Sequence, residues 1–301
     1  MENDLVSIGM PVYNDKEFLP IALSSLMKQS HRNFELIMSD DCSSDGSQEI
    51  CIEAMRLDKR IKYIRQSKNI GISANMEFLL GQANSDYFMW AGNDDVWDEN
   101  FISNLIYDLK RSSDAIMAFC DVAEINESGE IINIRRKSDI DYSGDSKLKR
   151  LKKLITVFYD GAGYGLFKTK AIKDVRFPIW WGVNKIRAYN NIYPTLAFYL
   201  TKGNYIHSGQ KPLWFNRLKS EGNINHKVPY NDSFIRGYYA FVLWKINLVI
   251  VTLKSIFLAE GRLNLIIVIF IPLIRFWFLI PVFNQFRSSL RRLIKRQIKF
   301  W

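Results

Sequence analysis

The sequence predicts an α/β protein built on a mostly parallel sheet, and three observations carry that prediction. Between Leu5 and Trp97, apolar runs of strand length alternate with segments whose apolar residues recur at helical spacing. Strands that alternate with helices in this way call for parallel pairing through right-handed crossovers. Each run also ends in a cluster of Asn, Asp, Ser or Gly, at the carboxyl edge where such sheets bind ligands. Finally, the apolar run Tyr87-Phe88-Met89-Trp90 leads through Ala91-Gly92-Asn93 into two adjacent acids, Asp94 and Asp95.

In chain order, Leu5 to Met10 forms the first strand and Pro11-Val12-Tyr13-Asn14 the turn after it. Phe18, Leu19, Ile21, Ala22, Leu26 and Met27 then line one helix. Phe34 to Met38 is the second strand, followed by the loop Ser39-Asp40-Asp41-Cys42-Ser43-Ser44-Asp45-Gly46-Ser47 and a helix through Ile50 and Ala54. Ile61 to Ile64 is a short third strand that leads through Asn69-Ile70-Gly71 to Asn75 and a helix ending near Ala83. After the strand at Tyr87, a helix is expected at once, with Phe101, Ile102, Leu105, Ile106 and Leu109 on one face. Ala115 to Val122 is a fifth strand, Asn126 to Gly129 a hairpin turn, and Arg135 to Lys153 a charged loop or surface helix. A glycine-rich stretch, Gly161 to Phe167, enters another strand. A helix from Tyr193 to Leu200 and strands at Tyr205 to His207 and Pro212 to Asn216 close this body.

Asp94 and Asp95 are the chemically expressive pair. Adjacent carboxylates at the end of a buried strand are unfavourable unless a positive charge neutralises them. Mg²⁺ or Mn²⁺ holding a phosphate does so, because such an ion takes one or two carboxylates and fills its shell with water and phosphate oxygens. The same acids also suit the N-terminus of the following helix as caps.

Charge is unevenly placed. Residues 1–232 carry 30 Lys+Arg and 30 Asp+Glu, whereas 233–301 carry 11 Lys+Arg against Glu260 alone, so the whole net charge of +10 lies in the second part. A neutral body argues against a nucleic-acid binder, whose basic footprint sits on the folded domain. The division expected is therefore a catalytic domain over 1–232 and a basic, apolar helical region over 233–301. In that tail, Tyr238 to Leu258 and Leu263 to Phe283 are densely apolar, but Lys245, Lys254 and Arg275 interrupt them before a full membrane span is reached. Phe286 to Trp301 interleaves six cations with Leu290, Leu293, Ile294 and Ile298, the pattern of a helix lying on an anionic membrane surface. A monotopic anchor is the expectation; a packed helical cap, an oligomer contact or a single span are the alternatives. Cys42, Cys51 and Cys120 have no CxxC spacing and fit a reducing compartment, and Met1 to Asp4 has no apolar signal core, which points to a cytoplasmic body.

Four motifs, Val6-Ser7-Ile8-Gly9-Met10-Pro11-Val12-Tyr13-Asn14, Asp40-Asp41-Cys42-Ser43-Ser44-Asp45-Gly46-Ser47, Asn69-Ile70-Gly71 with Asn75, and Asn93-Asp94-Asp95-Val96-Trp97, resemble in order and spacing the family 2 glycosyltransferases. The resemblance covers roughly residues 5 to 215 and implies a GT-A fold, a Rossmann-like sheet flanked by helices, with a nucleoside diphosphate sugar as donor. It implies that Pro11, Tyr13 and Asn14 sit against the nucleotide, that Asp41 or Asp40 accepts a hydrogen bond from the base, and that Asn69 and Asn75 fix the third loop. Asp94, with Asp95, would hold Mg²⁺ or Mn²⁺, and Asn93 stands where relatives often have a third acid. Arg217 matches an aromatic-Arg element near the diphosphate, and His226 is a candidate to complete the metal shell.

The acceptor half departs from the family pattern. An Asp or Glu is expected before the helix that precedes Lys202-Gly203, yet counting back reaches Asn190 and Asn191, and no acid occurs from Val175 to Ser220. Asp160 is the nearest candidate base, with Glu221, His226 and Asp232 behind it. By resemblance, the acceptor is a glycan, carried on a polyprenyl diphosphate lipid at the cytoplasmic face of the plasma membrane, in bacterial O-antigen or capsule assembly. Two alternatives stand beside this: a catalytically weak GT-A partner subunit, and a nucleotidyltransferase, whose Gly-rich basic phosphate loop is missing from Met10 to Asn14.

Overall fold

β1 (Val6–Val12) runs through the middle of the sheet, and its sequence explains why: Val6, Ile8, Met10 and Val12 are fully buried, and so is Ser7 between them. Strands covered on both faces lose the polar alternation of surface strands, which is the signature of parallel sheets. The computed structural model of the protein describes residues 4–157, 159–175, 177 and 192–219. These lie within one compact unit. Asn191, His226, Glu221, Asp232, the 1–232 boundary and the entire tail fall outside the described residues.

The first half alternates as expected: α1 (Leu19–Met27), β2 (Phe34–Asp40), α2 (Ser47–Leu57), β3 (Ile61–Arg65), α3 (Ile72–Gln82) and β4 (Tyr87–Trp90). Among these, β2 and β4 flank β1 in parallel and β3 extends the sheet beyond β2. Strands β1 and β2 run two residues past their expected ends, because the pairing continues through Pro11 with Ser39 and Val12 with Asp40. Buried Val12 and Ser39 leave no turn at that point, so the loop begins at Tyr13.

After β4 the expected helix is delayed by a two-residue strand, β5 (Val96–Trp97). α4 (Phe101–Lys110) then buries Phe101, Ile102, Leu105, Ile106 and Leu109, the face read from the sequence. Each such side chain contributes about 1.5–3 kcal/mol by leaving water. β6 (Ala115–Ile125) and β7 (Ile131–Arg135) form the hairpin expected around Asn126–Gly129, where Gly129 takes a φ of 87°. The charged segment that follows takes the helical alternative: α5 (Lys137–Ile140) and α6 (Lys147–Val157) bury Ile140, Leu151 and Leu154, and Tyr142 is buried between them. Even Arg150 is buried, donating from Nε to the Leu200 carbonyl at 2.8 Å and from Nη1 to that of Gly144 at 2.9 Å. Its lysine-rich outer face had masked that apolar stripe.

A 3-10 turn (Gly161–Tyr164), β8 (Leu166–Lys168), α7 (Thr169–Ile172), α8 (Ile192–Lys202) and β9 (Asn204–Arg217) complete the described fold. The sheet order is β3-β2-β1-β4-β8-β6-β9-β5, with β7 on β6. It is mostly parallel: β6 and β9 pair in parallel over their lengths, while β8 and β5 join by short antiparallel ladders. Strand order reverses between β1 and β4, and the crevice at such a switch point is where α/β sheets bind ligands. Among the described residues no helix is long and apolar enough to cross a membrane.

Candidate functional site

The loops after β1, β2 and β3 are laced together by their own polar side chains. Asn14, in the left-handed region at φ 48°, accepts the Ser44 N–H on Oδ1 at 2.8 Å and donates its backbone N–H to Ser43 Oγ at 3.1 Å. Asn is among the few residues that tolerate this backbone conformation. The Asp15 N–H donates to Ser47 Oγ at 3.0 Å, and Asp45 accepts the Lys16 N–H at 2.9 Å as well as Ser47.

Asp40 and Asp41 both point into this scaffold. Asp40 is fully buried and accepts the Ser43 N–H (2.8 Å), the Tyr63 hydroxyl (2.8 Å) and Arg65 Nη1 (2.5 Å). Burial alone would raise its pKa, but the bonds from Ser43 and Tyr63 and the Arg65 charge outweigh it and hold the carboxyl below its ordinary value. Asp41 spends one oxygen on the Ile70 N–H (2.6 Å) and the other on the Gly71 N–H (2.9 Å), clamping the third loop. A carboxylate has about four acceptor sites. Either acid therefore meets a nucleotide base only with a leftover lone pair. Asn75 is buried and donates to the Ser39 carbonyl at 2.8 Å, whereas its Oδ1 has no partner. Tyr13 and Asn69 are exposed and Pro11 is half-buried, so these three line the open side.

The acidic loop after β4 is built against β9. Gly92 is required here: a Cβ would lie 2.5 Å from Asp95 Oδ2 and 3.2 Å from Asp94 Oδ1. Asp95 is buried and accepts the Arg217 backbone N–H on Oδ1 at 2.9 Å. Burial, reinforced by the charge of Asp94, pushes its carboxyl well above the usual carboxylate range. Asn93 is half-buried and Asp94 partly open to solvent. Arg217, expected near the diphosphate, packs its side chain against the acidic loop. It is 6% exposed, lies over the Phe18 ring at 4.6 Å, and donates to the carbonyls of Asp94 (2.9 Å), Asn126 (3.0 Å) and Glu127 (2.8 Å).

A cation that sequence reading missed, Lys219, pairs with the acidic loop. Its Nζ lies 2.6 Å from Asp15 Oδ2 and 2.9 Å from Asp94 Oδ2, above the Phe18 ring at 5.1 Å. The available signal was the alternation Arg217-Leu218-Lys219, which puts both cations on one side of an extended chain. Tyr164 was also missed as a site residue. Its ring stacks on Trp214 at 5.2 Å, and its phenol pKa is raised by burial and then by the charges of Asp95, Asp160 and Asp94. Asp160, at the cap of the 3-10 turn, therefore shares that phenol's surroundings with the acidic pair.

The acidic loop fits a divalent cation. Glycine at position 92 keeps the space beside both carboxylates clear, and a buried acid beside a second carboxylate is the arrangement that a bound cation relieves. Among the described residues no cluster of three or more His, Cys, Asp or Glu side chains is arranged to hold an ion by itself. An ion at Asp94 would thus complete its shell from phosphate and water, as Mg²⁺ usually does.

An aspartate pair beyond β4, next to the reversal of strand order, fits a GT-A protein, and the solved structures agree on the fold. The structure of S. aureus TarS 1-349 in complex with UDP matches with a TM-score of 0.64 at 15% identity, over 91% of this chain and 72% of that one. The family described as Glycosyl transferase family 2 matches residues 7–176, and the chain belongs to it. It is 31% identical to an uncharacterized glycosyltransferase of Haemophilus influenzae over 82% of this chain and 97% of that protein. It is 23% identical to the Escherichia coli UDP-Glc:alpha-D-GlcNAc-diphosphoundecaprenol beta-1,3-glucosyltransferase WfgD, over 85% of this chain and 96% of that enzyme. It spans only 24% and 42% of the Streptococcus pneumoniae glycosyltransferases GlyA and GlyG that it also matches. The chain is thus a member of the family 2 glycosyltransferases, and the relatives it matches include enzymes named for undecaprenol-diphosphate-linked substrates.

Proposed function

We propose that this chain transfers a sugar, with inversion and dependence on Mg²⁺ or Mn²⁺, from a nucleoside diphosphate to a glycan hydroxyl carried on a polyprenyl diphosphate. The observation that carries the reading is the convergence of Asp94, Asp95 and Asp15 at the reversal of strand order, where a donor's diphosphate needs a cation. TarS, solved with UDP, supports the donor class, and WfgD, whose name gives a diphosphoundecaprenol substrate, supports the acceptor class.

In this reading Tyr13 offers its exposed ring to the base, while Pro11, Asn14 and Asn69 shape the wall beside it. Asp40, Asp41 and Asn75 hold that wall in place. Asp94, with Asp95 behind it, would hold the ion, whose chemistry there is neutralisation of charge on the departing nucleoside diphosphate. Asp160 takes the proton from the acceptor hydroxyl as its oxygen bonds the anomeric carbon and the carbon–oxygen bond to the diphosphate breaks. Residues 233–301, with 11 cations and one acid, carry the enzyme to the anionic cytoplasmic face of the membrane, where O-antigen or capsule precursors are assembled.

A panel of nucleoside diphosphate sugars, each with and without Mn²⁺, tests the donor reading by thermal shift, since only a matched donor stabilises by mass action. Stabilisation by none of them refutes it. Stabilisation without transfer to any lipid-linked acceptor favours the partner-subunit reading. Truncation at Asp232 tests the tail: undiminished partitioning to anionic vesicles would refute the anchor.

A further inference from the structure

We infer that Lys219 is the resident counter-cation of the metal position, so that an entering divalent ion competes with its ammonium for Asp94. This rests on Asp94 being the ion's ligand. Lys219 spans two carboxylates from different loops, Asp15 after β1 at 2.6 Å and Asp94 after β4 at 2.9 Å. Among the described residues it is the ion-pair partner of Asp94. Its side chain is only 19% exposed and lies over Phe18, beside the Arg217 guanidinium on the same ring. Arg217 does not take its place on the carboxylates, because its guanidinium donors go to three backbone carbonyls.

The consequence follows from simple electrostatics. With Lys219 absent, the carboxylates of Asp94 and Asp15 would face each other with no cation paired to them, which favours uptake of a divalent ion at Asp94. With Lys219 present, Asp94 Oδ2 is already occupied, and an ion and an ammonium repel when they share one carboxylate oxygen. Free metal therefore binds weakly. A nucleoside diphosphate changes the balance, because its oxygens supply the ligands that Asp94 alone lacks. Asp15 then keeps the displaced ammonium next to the site instead of releasing it to solvent. The site loads its ion together with the donor and not before it.

The test is a Mn²⁺ titration of the metal-free, full-length protein, followed by electron paramagnetic resonance with and without UDP. Without nucleotide, Lys219→Met should bind Mn²⁺ about tenfold more tightly than wild type, the scale of one adjacent charge. Lys219→Arg should stay near wild type. Equal or weaker Mn²⁺ binding by Lys219→Met overturns the inference. Lys219→Gln, with the same expected direction, serves if the methionine variant does not fold. Asp94→Asn separates the two claims. If it loses Mn²⁺ while Lys219→Met gains nothing, only the competition falls. If it binds Mn²⁺ like wild type, the metal assignment of Asp94 falls with it.

Discussion

Replacing Arg217 with alanine separates a structural pin from a ligand contact. The guanidinium, on a residue 6% exposed, donates to the carbonyls of Asp94, Asn126 and Glu127 at 2.8–3.0 Å and covers Phe18. Net contributions of hydrogen bonds from a charged group run about 1.5–3 kcal/mol. Two of these bonds share Nη1, so a loss of about 3–5 kcal/mol is expected, not three full increments. The bond from the backbone N–H to Asp95 survives in alanine, which leaves the buried acid anchored. At roughly 2 °C per kcal/mol for a chain of this size, the midpoint of thermal unfolding should fall by about 6–10 °C. The drop should be the same without nucleotide, and Arg217→Lys should recover only part of it, because an ammonium cannot span both loops. Unchanged unfolding combined with a tenfold loss of UDP affinity would refute this, and would return Arg217 to the diphosphate contact its motif implied.

Gly92→Ala should cost about 1–3 kcal/mol by overpacking, and should weaken Mn²⁺-dependent UDP binding, because its Cβ falls 2.5 Å from Asp95 Oδ2. Wild-type UDP affinity in that variant would contradict the packing. Asp160→Asn should lower kcat by about 10²–10⁴ while leaving the donor KM in place; a wild-type kcat removes Asp160 as base. His207, buried and 2.7 Å from Asp121, has its pKa lowered from 6.5, since burial outweighs the carboxylate's pull. Between 6.5 and the lower folded value, the unfolded chain binds the proton that the native imidazole does not. Stability therefore falls as pH drops below 6.5, and His207→Gln should flatten that limb of the melting curve. An unchanged slope in His207→Gln would show that another group titrates there.

The parallel half of the fold was legible because both faces of β1, β2 and β4 are covered, which turns each strand into an uninterrupted apolar run. β5 was not, since two residues have no periodicity; Val96 and Trp97 are a strand only because Phe215 and Trp214 pair with them from far along the chain. The same limit governs the site. Asp94 and Asp95 stand where the sequence put them, just beyond β4. The direction of the Asp41 carboxylate is set by Ile70 and Gly71, and that of Asp40 by Tyr63 and Arg65, none of which its own motif contains. Arg217 was found by pattern, but its donors go to carbonyls that no pattern names.

Topology explains why the charges sort as they do. Acids of the loop after β2 lie within reach of backbone N–H groups from neighbouring loops, and hydrogen bonds there hold them as scaffold. β1 and β4 are adjacent, with Val6 opposite Tyr87, yet their chains continue to opposite sides of the sheet. The loops leaving them diverge, and the acids on each lip, Asp15 and Asp94, find no backbone donors across the gap. Charges left in that position need a partner from elsewhere in the chain, and a lysine two residues beyond β9 provides one that reaches both. The pairing of Asp15 and Asp94 through one lysine is thus the product of strand order, with Gly92 leaving room for the acidic loop.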